Sequence, residues 1–177
     1  MNNQKIKDIF SSFGFWIGVI SFIIVVLIVW GSSTYEKVTI VKYETKTSRE
    51  VALTCTTDMA TQFHIHPVLK IIISGKEQII PANIGITNTC MNSIHTHDDS
   101  GTLHIESPVK KDFTLGDFFA VWGKQFNKDQ ILDYKIDSTK TITVTLGGKL
   151  VDTYENTLLN DKDNIIIEYK DQKTNGS

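Results

Sequence analysis

The sequence predicts a mainly β protein of the α+β class: an N-terminal transmembrane helix followed by one mostly antiparallel β domain with one packed helix. Three observations predict it. An uncharged apolar run, FGFWIGVISFIIVVLIVW, occupies residues 13–30. Short alternating or densely apolar segments recur from Tyr35 to Tyr169. One stretch only, FTLGDFFAVWGKQF, repeats its aromatic residues at helical spacing.

The apolar run would span roughly 27 Å as a helix, close to the thickness of a bilayer core. Trp16 and Trp30 stand near its ends, where indoles favour the headgroup region. Lys5 and Lys7 precede it and the mixed pair Glu36–Lys37 follows, so the positive-inside rule directs the N-terminus to the cytoplasm. The predicted organisation is a cytoplasmic segment over 1–12, a signal anchor over 13–31, an extracytoplasmic β-rich domain over 35–170 and a disordered polar tail over 171–177. A cleaved signal peptide is the alternative, because GSS at 31–33 offers small residues; against it, the run is long for a signal core and ends in a bulky Trp30. Either way the domain lies outside the cytoplasm.

Within the domain, EKVTIVKYET and TITVTL alternate as half-buried strands do. VLKIIIS is denser and suits a strand buried on both faces. Gly147-Gly148 in TVTLGGKLVDTY marks a hairpin, and NIIIEY reads as a central last strand. In the helical stretch, Thr114 is an N-cap with Asp117 three positions on, and Leu115, Phe118, Phe119, Trp122 and Phe126 form the stripe that packs on the sheet. The order helix, strand, Gly-Gly hairpin, strand gives the C-terminal half a β-grasp-like character, by fold analogy alone.

All five histidines fall in two runs, FHIHP (63–67) and IHTHDDSGTLHIE (94–106). On a strand, residues two apart share a face. His64 and His66 therefore oppose Phe63, Ile65 and Pro67, while His95, His97, His104 and Glu106 oppose Ile94, Leu103 and Ile105. The turn-forming DDSG lets His104 return beside the second pair. With all four residues in the loop His95 faces His104; with Ser100-Gly101 alone in it, His97 does. Directly opposed β carbons are about 5 Å apart, which suits two side chains sharing an ion. His64, His66, His95, His97 and His104 are thus the predicted metal ligands, gathered in one site.

Cys55 and Met59 precede the first pair, and Cys90 and Met91 the second. Soft sulfur beside imidazole favours copper, while imidazole with Asp98 or Glu106 suits zinc equally. Cys55, Cys90 and Met91 are accordingly possible further ligands. Outside the cytoplasm, however, two cysteines ordinarily oxidise, and a Cys55–Cys90 disulfide would tie the two runs together.

The H-x-H form alone resembles a copper-ligand strand of copper/zinc superoxide dismutase, but that family's zinc-loop histidines and arginine have no counterpart. A cupin would need a glutamate where Lys70 stands. FHIHPVLKIIISG, IPANIGI, CMNSIHTHDDSGTLHIESP and FTLGDFFAVWGKQF together resemble a family of membrane-anchored proteins of archaea and bacteria. That family shares the order H-x-H, I-P-x-x-I-G-I, H-T-H-D-x-S-G-x-[IL]-H-[IV]-E and T-L-G-D-F-F. The resemblance covers most of the exported domain and brings no activity with it.

A net charge of -2 and a lone arginine, Arg49, give no basis for nucleic-acid binding. The leading functional expectation is a membrane-tethered copper carrier, chaperone or accessory subunit of a larger membrane complex. One alternative is a metal-dependent oxidase or hydrolase with Glu106 or Asp98 as general base. Another is a metal-free assembly subunit whose histidines sense acidity near pH 6.5.

Overall fold

The computed structural model describes residues 3–57 and 61–172, so Met59 and the end of the polar tail lie outside the described residues. The chain forms two compact units, Met1–Lys42 and Tyr43–Ser177.

The first unit is made by helix α1 (Asn3–Glu44). Its Trp16–Thr34 segment, 19 residues, is long and apolar enough to cross a membrane. Phe22 and Trp30 are each 70% exposed, a state that water penalises and lipid does not. Near the end of the span Ser32 Oγ donates to the Val29 carbonyl at 2.9 Å, and Thr34 Oγ1 lies 2.9 Å from that of Gly31. EKVTIVKYET, expected as a strand, continues this helix as far as Glu44. Extending an existing helix adds one hydrogen bond per residue, whereas a strand there would need a partner edge for its backbone.

The second unit is built on a five-stranded sheet. Its strands, in spatial order, are β12 (Lys149–Val151), β11 (Lys140–Leu146), β13 (Asn164–Asp171), β3 (Val68–Ile73) and β4 (Lys76–Gln78). All neighbours are antiparallel except β13 and β3, which run parallel. β13 is central, as its apolar content requires. Registered side chains on one face, including Leu69, Ile71, Ile165, Ile167 and Val144, are buried and form the core. VLKIIIS is therefore buried on one face only: Lys70 is exposed, and Val68 and Ile72 are half-buried. Gly147 and Gly148 adopt φ of 57° and 80°, giving the two-residue turn that closes Leu146 against Lys149.

The strand order matches a β-grasp sheet, but it draws on both ends of the domain, because the β3–β4 hairpin supplies one half. The principal helix α3 (Leu115–Trp122) buries Leu115, Phe118 and Phe119 in the core. It packs on α2 (Ser48–Leu53), on the 3-10 turn Tyr154–Asn156 and on β6 (Ile94–His95). Its start is a reciprocal capping box between Thr114 and Asp117, and Gly123 ends it at φ 71°. Phe126 lies beyond the helix in β8 (Phe126–Asn127), yet still joins the stripe through its ring, 4.8 Å from that of Phe119. Asp117 is 3% exposed and meets Arg49 Nε at 2.6 Å, which pins α3 to α2.

Cys55 and Cys90 are joined by a disulfide with Cα atoms 5.4 Å apart, beside the pairing of β1 (Cys55–Thr56) with β5 (Met91–Asn92). Neither sulfur is thus a free thiolate, and the cysteine ligands considered above are corrected to a crosslink. The bridge spans a sequence separation of 35, which on chain-entropy grounds stabilises the fold by about 4 kcal/mol. Cys55→Ser/Cys90→Ser should lower the unfolding free energy by roughly 2–4 kcal/mol, as measured by urea denaturation of the detergent-solubilised chain. An unchanged midpoint would refute this.

Candidate metal centre

The histidines are carried by a separate three-stranded sheet of β2 (Phe63–Ile65), β7 (His104–Ser107) and β6, with β7 in the middle. Both pairings are antiparallel. On one side His64 faces Glu106 and Ile65 faces Ile105; on the other, Ile94 faces Ile105 and His95 faces His104. This is the register in which the whole DDSG stretch lies in the turn. Ile65, Ile94, Leu103 and Ile105 are buried beneath the sheet, and the opposite face gathers the imidazoles.

Backbone contacts hold each histidine segment in place. Between His95 and His97, buried Thr96 donates its hydroxyl to the Pro81 carbonyl at 2.8 Å and accepts from the Ile84 N–H at 3.0 Å. Its own N–H and carbonyl pair with Ile84 and Asn83. The IPANIGI segment is therefore a cradle for the H-T-H strand. Gly85 within it has φ 72°, and a Cβ there would sit 2.6 Å from the Ile94 carbonyl. His66 is fixed by Asp161, whose Oδ1 accepts from the His66 N–H at 3.0 Å. The turn before His104 depends on Gly101: its φ is 81°, and a Cβ would meet the Leu69 carbonyl at 2.3 Å.

The five rings form one continuous cluster. Centroids are 4.4 Å apart for His64 and His66, 4.7 Å for His66 and His104, 4.5 Å for His104 and His97, and 4.8 Å for His97 and His95. Their ligating atoms fall into two groups, His95–His97–His104–Glu106 and His64–His66–His104, each within 4.8 Å. His104 belongs to both. Instead of one five-histidine shell, the sheet offers two overlapping shells.

His95 is the best-prepared ligand. It is 0% exposed, and its Nδ1 lies 3.0 Å from the Asn92 carbonyl, which can only accept. Nδ1 therefore carries the proton and Nε2 presents its lone pair, the arrangement in which backbone oxygens orient metal-binding imidazoles. Nε2 of His95 and Nε2 of His97 are 3.2 Å apart. Two nitrogens of a tetrahedral ion with bonds of 2.0–2.1 Å would be separated by about 3.3 Å. Burial lowers the His95 pKa to about 4. His104 is lowered too, by burial first and then by His97 and His66. Both are neutral, and so able to ligate, at ordinary pH. Glu106 supplies the negative charge and is held 3.1 Å from His64 Nε2.

The other sequence candidates have different roles. Asp98 accepts from the Ser100 N–H at 2.9 Å in the exposed turn, and hydrogen bonds from Ser100 keep its pKa low. It shapes the turn and stands outside both ligand groups. Met91 belongs to the β1–β5 pair, not to the histidine sheet. Asp161 and Thr96 escape sequence reasoning: Asp161 is 95 residues from its partner, and a threonine between two histidines carries no distinctive signal. Ser93 escapes it as well. It precedes β6 on the face of His95, is 0% exposed, and its hydroxyl has no protein partner.

Compared with protein-family models, curated proteins and solved structures, the chain matches none.

Gly101→Ala should destabilise the domain by roughly 2–3 kcal/mol or more, read as a fall in the denaturation midpoint. A neutral effect would show that the turn is not constrained by Leu69. A second expectation concerns acid. The folded His95 pKa of about 4 lies below its ordinary 6.5, so between these values the unfolded chain binds more protons. Metal-free protein should keep its full stability above pH 6.5 and lose on the order of 3 kcal/mol as pH falls to about 4. His95→Phe should flatten that part of the pH–melting profile; an unaltered slope would remove His95 as its cause.

Proposed function

We propose that this chain is a membrane-tethered protein that presents a histidine-rich ion site outside the cytoplasm and carries copper there, as a carrier or an accessory subunit of a membrane complex. The observation that carries the metal reading is the convergence of His95, His97, His104 and Glu106 with two imidazole nitrogens already at the spacing of a shared ion.

Anchoring is supported by the apolar Trp16–Thr34 helix. Residues 31–34, where a peptidase would need extended chain, remain helical. The disulfide favours an oxidising compartment. With both thiols crosslinked, the donor set is imidazole and carboxylate, which removes the thiolate argument for Cu(I). Cu(II) is then the ion bound most strongly by such ligands in the divalent series, and Zn(II) is the competitor. The sequence resemblance to membrane-anchored archaeal and bacterial proteins is consistent with the same placement.

The test is elemental analysis of the full chain purified from membranes, before and after chelation. Copper bound in stoichiometric amount is expected, with His97→Ala lowering its affinity by about 10- to 100-fold. Zinc in its place would correct the ion, and the absence of any chelatable metal would dismiss the reading. The protein should also stay with the membrane through a carbonate wash, and its disulfide-bearing domain should be cut by protease added outside spheroplasts. A soluble form starting after residue 33 would show cleavage instead.

A further inference from the structure

The two ligand groups differ in ways that a single static site would not require. The outer group, His64–His66–His104, is three imidazoles, and its His64 and His66 side chains are 47% and 41% exposed. The inner group, His95–His97–His104–Glu106, adds a carboxylate and ends on fully buried His95. An ion gains one more donor and one negative charge by moving inward. A neutral imidazole has a single lone pair, since its other nitrogen carries the proton. His104 therefore serves one ion at a time.

We propose that the two groups are successive stations for one divalent ion, with His104 as the pivot that remains bound while its other ligands are exchanged. This inference rests on the metal-binding reading above. The rings are arranged for it: the sequence His64, His66, His104, His97, His95 is continuous, with neighbouring centroids 4.4–4.8 Å apart. His97 and His95 replace His66 and His64 and Glu106 is added, so the ion keeps His104 throughout and no electron moves. Glu106 couples the stations. Its Oε1 sits 3.1 Å from His64 Nε2, and the two residues face each other across β2 and β7. An ion taken by His64 competes with that contact and frees the carboxylate to complete the inner set. The exposed station thus collects the ion and the buried one retains it; release to an acceptor follows the reverse order.

The experiment mixes one equivalent of Cu(II) with the full chain in detergent micelles and follows freeze-quenched electron paramagnetic resonance spectra. The expected result is an early three-nitrogen signal that converts to a nitrogen–oxygen signal in a first-order step independent of protein concentration. His64→Ala/His66→Ala should slow loading of the final species at least about tenfold, and His95→Ala should leave the early signal as the end product. Two ions bound at once with a magnetically coupled spectrum would overturn the pivot, as would a single signal formed in one step with the same rate in the outer-pair variant. If no copper binds to any form, the metal-binding reading itself fails, and that outcome is distinguishable from a bound ion that does not move. The wild-type time course alone decides the point should a variant not fold.

Discussion

Strand β7 is four residues long and is hydrogen-bonded on both edges, to β2 on one side and β6 on the other. Its register places His104 opposite His95 and Glu106 opposite His64. Shifting either pairing by one residue would turn the imidazoles into the core and the isoleucines into solvent. Ile105 makes that slip costly: it is fully buried and faces Ile65 and Ile94 at once. The chemistry on one face of the sheet is therefore secured by apolar burial on the other.

Around this sheet the fold adds restraints that act on backbone more than on imidazole. The cradle at Pro81–Gly85 holds Thr96, Gly101 allows the turn to lie against Leu69, and Asp161 ties down the His66 amide. α3 contacts β6, and the Arg49–Asp117 pair connects that helix to α2. The sole arginine thus serves the scaffold. Breaking the pair would leave Asp117 buried with less compensation, which is costlier than the net worth of the bond.

Local patterns were legible wherever a short-range rule decides the outcome. The Thr114–Asp117 capping box, the Gly147-Gly148 turn, the central place of NIIIEY and the alternation around the histidines all follow from neighbouring residues. The β content follows from the short apolar segments, and the Cys55–Cys90 crosslink from there being two cysteines in the sequence. Sequence could not decide whether EKVTIVKYET begins a sheet or continues a helix, because the same pattern serves either and the preceding helix settles it. Nor could it choose the DDSG loop length, on which the partner of His104 depends. The burial of His95 was hidden as well: alternation put it on the polar face, but the segments that cover that face lie elsewhere in the chain.

The histidine sheet is built from strands of only two to four residues, whereas β11 and β13 run for seven and eight. Short ladders open at lower free energy than long ones, so amide protons of β2, β6 and β7 are expected to exchange through local opening and those of β13 on global unfolding. An ion in the inner group would join β6 to β7, and one in the outer group β2 to β7, adding its binding free energy to the opening of the strands it joins. Occupancy would consequently be written into the exchange protection of a handful of amides, raising the least protected part of the domain toward the level of its core and making the ion-loaded molecule more uniformly cooperative than the free one.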